Sequence, residues 1–134
     1  KYCYMLFLFL FSFSSYAEKE YMEILGAVVE KSSCDSTIRF SELFELSVSK
    51  RYNGVAHMQY LSEANETSFF NCPKNFVLQL SILSKKEQKS VLMYFGIVNA
   101  PWEIAKYLKP LMDDQDVGTF VKQNFSGYFE VKEP

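Results

Sequence analysis

Nucleophiles, bases and metal-binding side chains are scarce in this chain, and their spacing narrows the chemistry open to it. A Ser-His-Asp or Cys-His device needs an imidazole beside its nucleophile, and His57 is the single histidine. No G-x-S-x-G, H-E-x-x-H or phosphate-cradling glycine loop accompanies it. Carboxylates are better represented: Glu42 with Glu45, or Asp113, Asp114 and Asp116, could divide acid and base roles. The aspartates lack the glycine and bidentate glutamate of a calcium loop, so they read as a solvated turn between helices. No C-x-x-C spacing offers a metal or redox pair. The expectation is a protein without catalytic set, metal or cofactor. An exported hydrolase using His57 or a carboxylate pair is the alternative.

What the cysteines do depends on the N-terminus. Lys1 precedes the apolar run Cys3 to Phe13, and Ser15-Tyr16-Ala17 puts small side chains where a signal peptidase admits them. Residues 1–17 therefore read as a secretory signal peptide, leaving one mature domain, 18–134, of about 117 residues. At roughly 1.5 Å per residue the apolar run covers only about 16 Å of a hydrocarbon core about 30 Å thick, so no stable membrane span is expected. Periplasmic or extracellular residence follows as the expectation. Export would oxidise the two mature cysteines, Cys34 and Cys72, into a disulfide. Closing that loop would restrict the unfolded chain by about 4 kcal/mol in the loop-entropy account.

Charge and aromatic content point to a class of partner. Removing Lys1 from 14 basic residues leaves 13 against 16 acidic ones, a mature net charge of −3. The cationic residues are scattered along the sequence, which argues against nucleic acid. A specific protein interface needs large apolar anchors ringed by charge. Phe69, Phe70, Trp102 and Tyr107, with Asp113, Asp114 and Asp116, are the candidates for it. The leading expectation is an exported protein-binding module, of the inhibitor or immunity type that neutralises a toxin or hydrolase, with a basic protein as partner. A carrier of apolar small molecules is a further alternative, since helices rich in Phe, Met and Leu can enclose a cavity.

The elements that must position these residues are mostly helical. Tyr21, Ile24, Leu25, Val28 and Val29 follow amphipathic helical spacing. Residues 37–61 carry two signals: a helical face at Phe40, Leu43, Phe44, Ser47 and Val48, and an alternation with Asn53-Gly54 that suits a β-hairpin over 44–61. The charge order, Glu42 and Glu45 early and Lys50 and Arg51 late, favours the helix. Ser62 to Ser68 is polar without periodicity and reads as an exposed loop. Pro73 opens a helix bearing Phe76, Val77 and Leu80, and Ser84 to Glu87 is a capping box whose helix runs to Gly96. Asn99-Ala100-Pro101 starts a helix with Trp102, Ala105, Leu108 and Met112 as its buried stripe. Val117, Phe120, Val121 and Phe125 form the last helical face, with Gly127 as its stop and Tyr128 to Val131 as an extended tail. Phe44-x-Leu46-x-Val48-Ser49 echoes Phe76-x-Leu78-x-Leu80-Ser81 at an offset of 32 residues. The fold class is mainly α, a small helical bundle or short stack of helical hairpins with one disulfide, with α+β as the alternative.

Overall fold

The ambiguity over residues 37–61 resolves as two helices in a computed structural model, which describes Lys19, Met22, Glu23, Leu25, Gly26, Cys34, residues 37–51 and residues 54–134. Helix α1 spans Thr37–Ser49 and α2 spans Val55–Asn71. Phe40, Leu43, Phe44 and Ser47 are all buried, the i, i+3, i+4, i+7 set that one helical face requires, whereas Leu46 and Val48 are only half-buried. The alternation that favoured a hairpin is incidental to that face. Lys50 ends α1 at φ 51, and Gly54, at φ 117, leads into α2 by accepting from the Met58 amide at 3.0 Å. The region read as a signal peptide, 1–17, and most of the first amphipathic segment lie outside the described residues. Of that segment, Met22, Glu23, Leu25 and Gly26 are helical, and Leu25 is buried in the core.

Ser62 to Ser68 is no loop. It forms the middle of α2, where Ser62, Asn65, Glu66 and Ser68 are buried beside Leu61, Ala64 and Phe69. The burying face is itself polar, so no apolar period marks it. Local bonds absorb much of that polarity: Ser62 Oγ donates to the Met58 carbonyl at 2.8 Å. Asn65 Nδ2 donates to the Leu61 carbonyl at 3.0 Å and across to Ser47 Oγ on α1 at 3.3 Å.

The remaining helices are α3 (Pro73–Ser81), α4 (Lys85–Leu92), α5 (Pro101–Leu108), α6 (Gly118–Asn124) and α7 (Ser126–Glu130). Pro73 opens α3, and Phe76, Val77 and Leu80 bury its face. The expected capping box forms at α4: Glu87 N donates to Ser84 Oγ at 3.3 Å and Ser84 N to Glu87 Oε2 at 2.9 Å. Helix α4 ends at Leu92, ahead of Gly96, leaving 93–100 as a loop. In α5 the buried stripe is Ile104, Ala105 and Leu108, while Trp102 and Met112 are only half-buried. A 3-10 turn, Lys109–Leu111, follows α5. Gly127 does not stop the chain: α7 continues through it, and Tyr128 and Phe129 pack on the core where an extended tail was expected.

Helix α3 sits centrally, packed on α1, α2, α4 and α6, while α7 folds back on α5. A seam of phenylalanines joins them. Phe44 meets Phe76 edge to face at 5.2 Å, Phe76 stacks on Phe95 at 5.4 Å, and Phe95 meets Phe69 at 5.2 Å and Phe125 at 6.0 Å. Such pairs contribute roughly 0.5–1.5 kcal/mol each beyond the area they bury. The two echoed segments close α1 and α3, with Ser49 Oγ and Ser81 Oγ donating to Leu46 and Leu78 carbonyls in the same i−3 pattern. The described residues include no strand, and none of their helices is long and apolar enough to cross a membrane. The fold is a small helical bundle with the Cys34–Cys72 pair at bonding distance.

Candidate functional site

The least expected feature of the bundle is a carboxylate in its interior. Glu66, on the buried face of α2, has no exposed surface. Its Oε1 accepts from the amides of Ile97 at 2.8 Å and Val98 at 3.0 Å. Its Oε2 accepts from the Asn99 amide and the Asn99 side-chain nitrogen, both at 2.7 Å. These short bonds to an ionised acceptor are the strong kind. Successive amides of the 93–100 loop thus converge on one anion, an arrangement otherwise used to bind phosphate, with the anion supplied by the protein itself.

The chain can reach this geometry because Gly96 adopts φ 76. A Cβ there would run into the Tyr128 hydroxyl and stand 3.1 Å from Tyr128 Cζ, so the position has neither the conformational freedom nor the space for another residue. Tyr128 is pushed up to about 12, chiefly by burial and further by the negative charge of Glu66. Phe95 beneath the turn is buried, and the loop's outward side chains are not: Met93 is 53% exposed, Ile97 51% and Val98 47%. An apolar ridge therefore stands in solvent on a backbone held from inside. The lone pairs of Glu66 are engaged by loop donors, so this carboxylate shapes the loop.

The aromatic candidates lie one turn further along the same helix. Phe69 is fully buried and belongs to the core seam, whereas Phe70 is half-buried. Phe70 meets Tyr107, 44% exposed, edge to face at 4.9 Å, and Phe69 backs that pair with its ring 6.2 Å from Tyr107. Adjacent residues on α2 thus divide between core and surface. Trp102 follows Pro101, the residue that opens α5 directly after the loop.

The acidic turn is bound inward. Asp114 Oδ1 accepts from the Asp116 amide at 2.9 Å and the Val117 amide at 3.3 Å, closing the turn before α6. Lys74 on α3 reaches Asp114 and Asp116, both at 2.9 Å, and Lys122 reaches Asp113 at 3.4 Å. The hydrogen bond from Lys74 holds the Asp114 carboxyl below its usual range, and Asp114 and Asp116 raise Lys74 in turn. Lys74 is shared by Asp114 and Asp116, so three carboxylates face two lysines and the turn keeps a net charge of −1.

His57 lies half-buried in the first turn of α2, about two and a half turns from Glu66. Glu42 and Glu45 are exposed on α1. Among the described residues no cluster of His, Cys, Asp or Glu could hold a metal ion. Cys72 is buried between α2 and α3, Cys34 is exposed, and the Asn75 side chain donates to the Cys34 carbonyl. A groove between Met22, Leu25 and Gly26 and the Tyr60, Ala64 and Thr67 side of α2 holds about 220 Å³. That falls short of the roughly 300–1,000 Å³ of small-molecule pockets. No family model, curated protein or solved structure matches the chain.

Sequence reasoning missed Glu66 and the loop it holds. The partners are more than thirty residues apart, and nothing local marks a glutamate in a polar stretch as buried. The one available signal was Gly96, a helix stop followed directly by the apolar pair Ile97 and Val98.

Proposed function

We propose that this chain is an exported protein-binding module that docks through the 93–100 loop. The observation that carries this reading is the buried Glu66 carboxylate, which holds Ile97 and Val98 outward on a fixed backbone. Solvent-facing apolar side chains on a mobile loop lose ordering entropy when they bind, whereas a pre-formed loop has already lost it on folding. Phe70 on α2 and Tyr107 on α5 add a part-exposed aromatic pair, the side-chain type that dominates binding energy at interfaces. The partner is a protein with a concave apolar surface. Export is supported by the Cys34–Cys72 pair, since oxidising compartments preserve such bonds. An inhibitor or immunity-type role is the form of binding that suits a small, disulfide-tied chain whose most distinctive carboxylate is structural.

The test places a photo-crosslinking residue at Val98 and, in a second protein, at exposed Gln123 on α6. Both are expressed with the N-terminal segment and irradiated in the periplasm or medium. Position 98 is expected to yield one discrete heavier species that unlabelled protein competes away, and that Ile97→Asp abolishes in the same chain. Equal yields from both positions, or survival of the species with Ile97→Asp, refute the assignment of this loop. Sequencing the recovered chain tests export separately: it is expected to start near Glu18, and a chain retained in the cytoplasm refutes that part.

A further inference from the structure

A second surface of different character lies where α1 and α4 meet. Lys50 and Val48 from α1 and Ser84, Lys86, Glu87 and Ser90 from α4 line a groove of about 380 Å³. Lys85 and Lys89 flank it, and both are exposed. The cations elsewhere in the chain are frequently matched: Lys19, Lys74, Lys106 and Lys122 each reach a carboxylate. Lys50, Lys85, Lys86 and Lys89 have no such ion pair among the described residues. The one carboxylate in the lining, Glu87, is turned into the cap of its own helix by Ser84, which holds it below its usual range.

The position of these lysines is poor for folding. Lys85 and Lys86 occupy the first turn of α4, where the helix dipole disfavours cations by roughly 0.3–1 kcal/mol each. Lys50 occupies a left-handed backbone position that strains a residue with a Cβ. Lys85 is compensated by its ammonium lying 5.9 Å from the centre of the Phe120 ring, whereas Lys50 and Lys86 break a local rule with no ion pair among the described residues to offset it, which marks a site shaped by something other than stability.

We propose that this groove receives the acidic side chains of an extended segment of a partner protein. The charge of the rim selects anions, and the concavity selects side chains. Val48 gives the floor an apolar surface against which the methylenes of a glutamate can lie, while Lys50 and Lys86 take the carboxylate. A flat anionic membrane cannot enter a cleft of this size. Nucleic acid asks for a broad basic face with many phosphate contacts, and a chain of net charge −2 with one cationic end does not provide it. The groove is separate from the 93–100 loop, so failure at either surface leaves the other standing.

The experiment is fluorescence anisotropy of a labelled peptide of Glu and Ala on the full oxidised chain, at about 20 mM salt, where charges are felt over roughly 20 Å. Saturable binding is expected, absent for the Gln counterpart and weakened as salt rises. Lys50→Glu combined with Lys86→Glu is expected to weaken it about tenfold, because each reversal replaces attraction by repulsion. Lys109→Glu combined with Lys132→Glu makes the same change in net charge away from the groove and is expected to leave affinity near that of the unaltered protein. Circular dichroism confirms that both variants fold. No saturable binding, an equal loss in both variants, or tighter binding of phosphatidylserine vesicles or a short single-stranded oligonucleotide each overturns the proposal.

Discussion

Replacing Glu66 by glutamine changes one atom type at the centre of the loop's support and leaves its volume almost untouched. The carboxylate accepts from the amides of Ile97, Val98 and Asn99 and from the Asn99 side chain. Glutamine keeps one acceptor oxygen, sufficient for one pair of these donors, and presents its NH2 group to the other pair. Two charge-assisted bonds are lost, at roughly 1.5–3 kcal/mol each, and donors are left facing a donor. Part of that loss is offset, because an amide is easier to bury than an ion without a counter-charge. The freed amides also belong to a surface loop that water can reach. The expected net destabilisation is about 2–4 kcal/mol, a large fraction of the roughly 5–15 kcal/mol that holds a domain folded.

Two measurements separate this mechanism from general damage. Urea unfolding followed by Trp102, the single tryptophan, gives the global loss and reports from the end of the loop itself. Hydrogen exchange gives the local one: amides of residues 97–99 are expected to lose protection well below the global unfolding free energy, while those of α3 remain protected. Asn99→Ala removes one of the four bonds and is expected to cost about 1–2 kcal/mol, with a non-additive double variant because both changes act on the same bond. Slow exchange at 97–99 in the glutamine variant, with a stability change under about 0.5 kcal/mol, would refute the claim that Glu66 holds the loop.

Gly96→Ala must strain both the φ of 76 and the Tyr128 ring, and is expected to cost at least about 1–3 kcal/mol by thermal or urea unfolding. Asp114, whose carboxyl is lowered in the folded chain, contributes stability that is present above its ordinary range and lost as pH falls through its depressed value. The acid limb of a stability profile below about pH 4 should therefore flatten in Asp114→Asn, which keeps an oxygen for the Asp116 and Val117 amides. Tyr128 acts at the other extreme: raised to about 12, its neutral form supports the fold below the ordinary tyrosine range of about 10, and that support fades as pH climbs between the two. Absorbance at alkaline pH should show one tyrosine ionising late, and Tyr128→Phe should remove that step. Reducing Cys34–Cys72, which closes a separation of 38 residues, is expected to lower stability by about 4 kcal/mol, read as a shift in the urea midpoint with and without dithiothreitol.

Local chemistry was legible in the sequence where its partners are near in the chain. Ser84 and Glu87 are three residues apart, and the box they form is the one their spacing predicts. The pairing of Cys34 with Cys72 follows by elimination once Cys3 is assigned to the apolar leader. The middle of α2 was opaque for the opposite reason. Asn65 and Glu66 are held in the interior by Ser47 on α1 and by the 97–99 backbone, and a hydrophobic period cannot register contacts that distant. The same burial disposes of a pattern that the sequence does contain: Asn65-Glu66-Thr67 matches a glycosylation acceptor, yet Asn65 has no exposed surface. At α5 the stripe was legible in part: Ala105 and Leu108 are buried as expected, but Ile104, expected at its flank, takes the central place and leaves the Trp102 indole half in solvent.

A leucine at position 66 would fill the interior without burying a charge, and replacements of that kind are often neutral or stabilising when a buried ion is traded for packed hydrocarbon. What leucine cannot do is specify the path of 93–100. Three consecutive amides have no partner within their own loop, and without an acceptor beneath them they would turn to water and take many conformations. The carboxylate converts that choice into one, and Gly96 with Tyr128 closes off the neighbouring alternatives. The residues fixed in this way are half-exposed Ile97 and Val98, which contribute little to the core. A costly buried group devoted to side chains that the fold itself hardly uses is most simply explained by an encounter outside the fold. For that reason the loop, more than the paired acidic turn or the lone histidine, is where a partner should be sought.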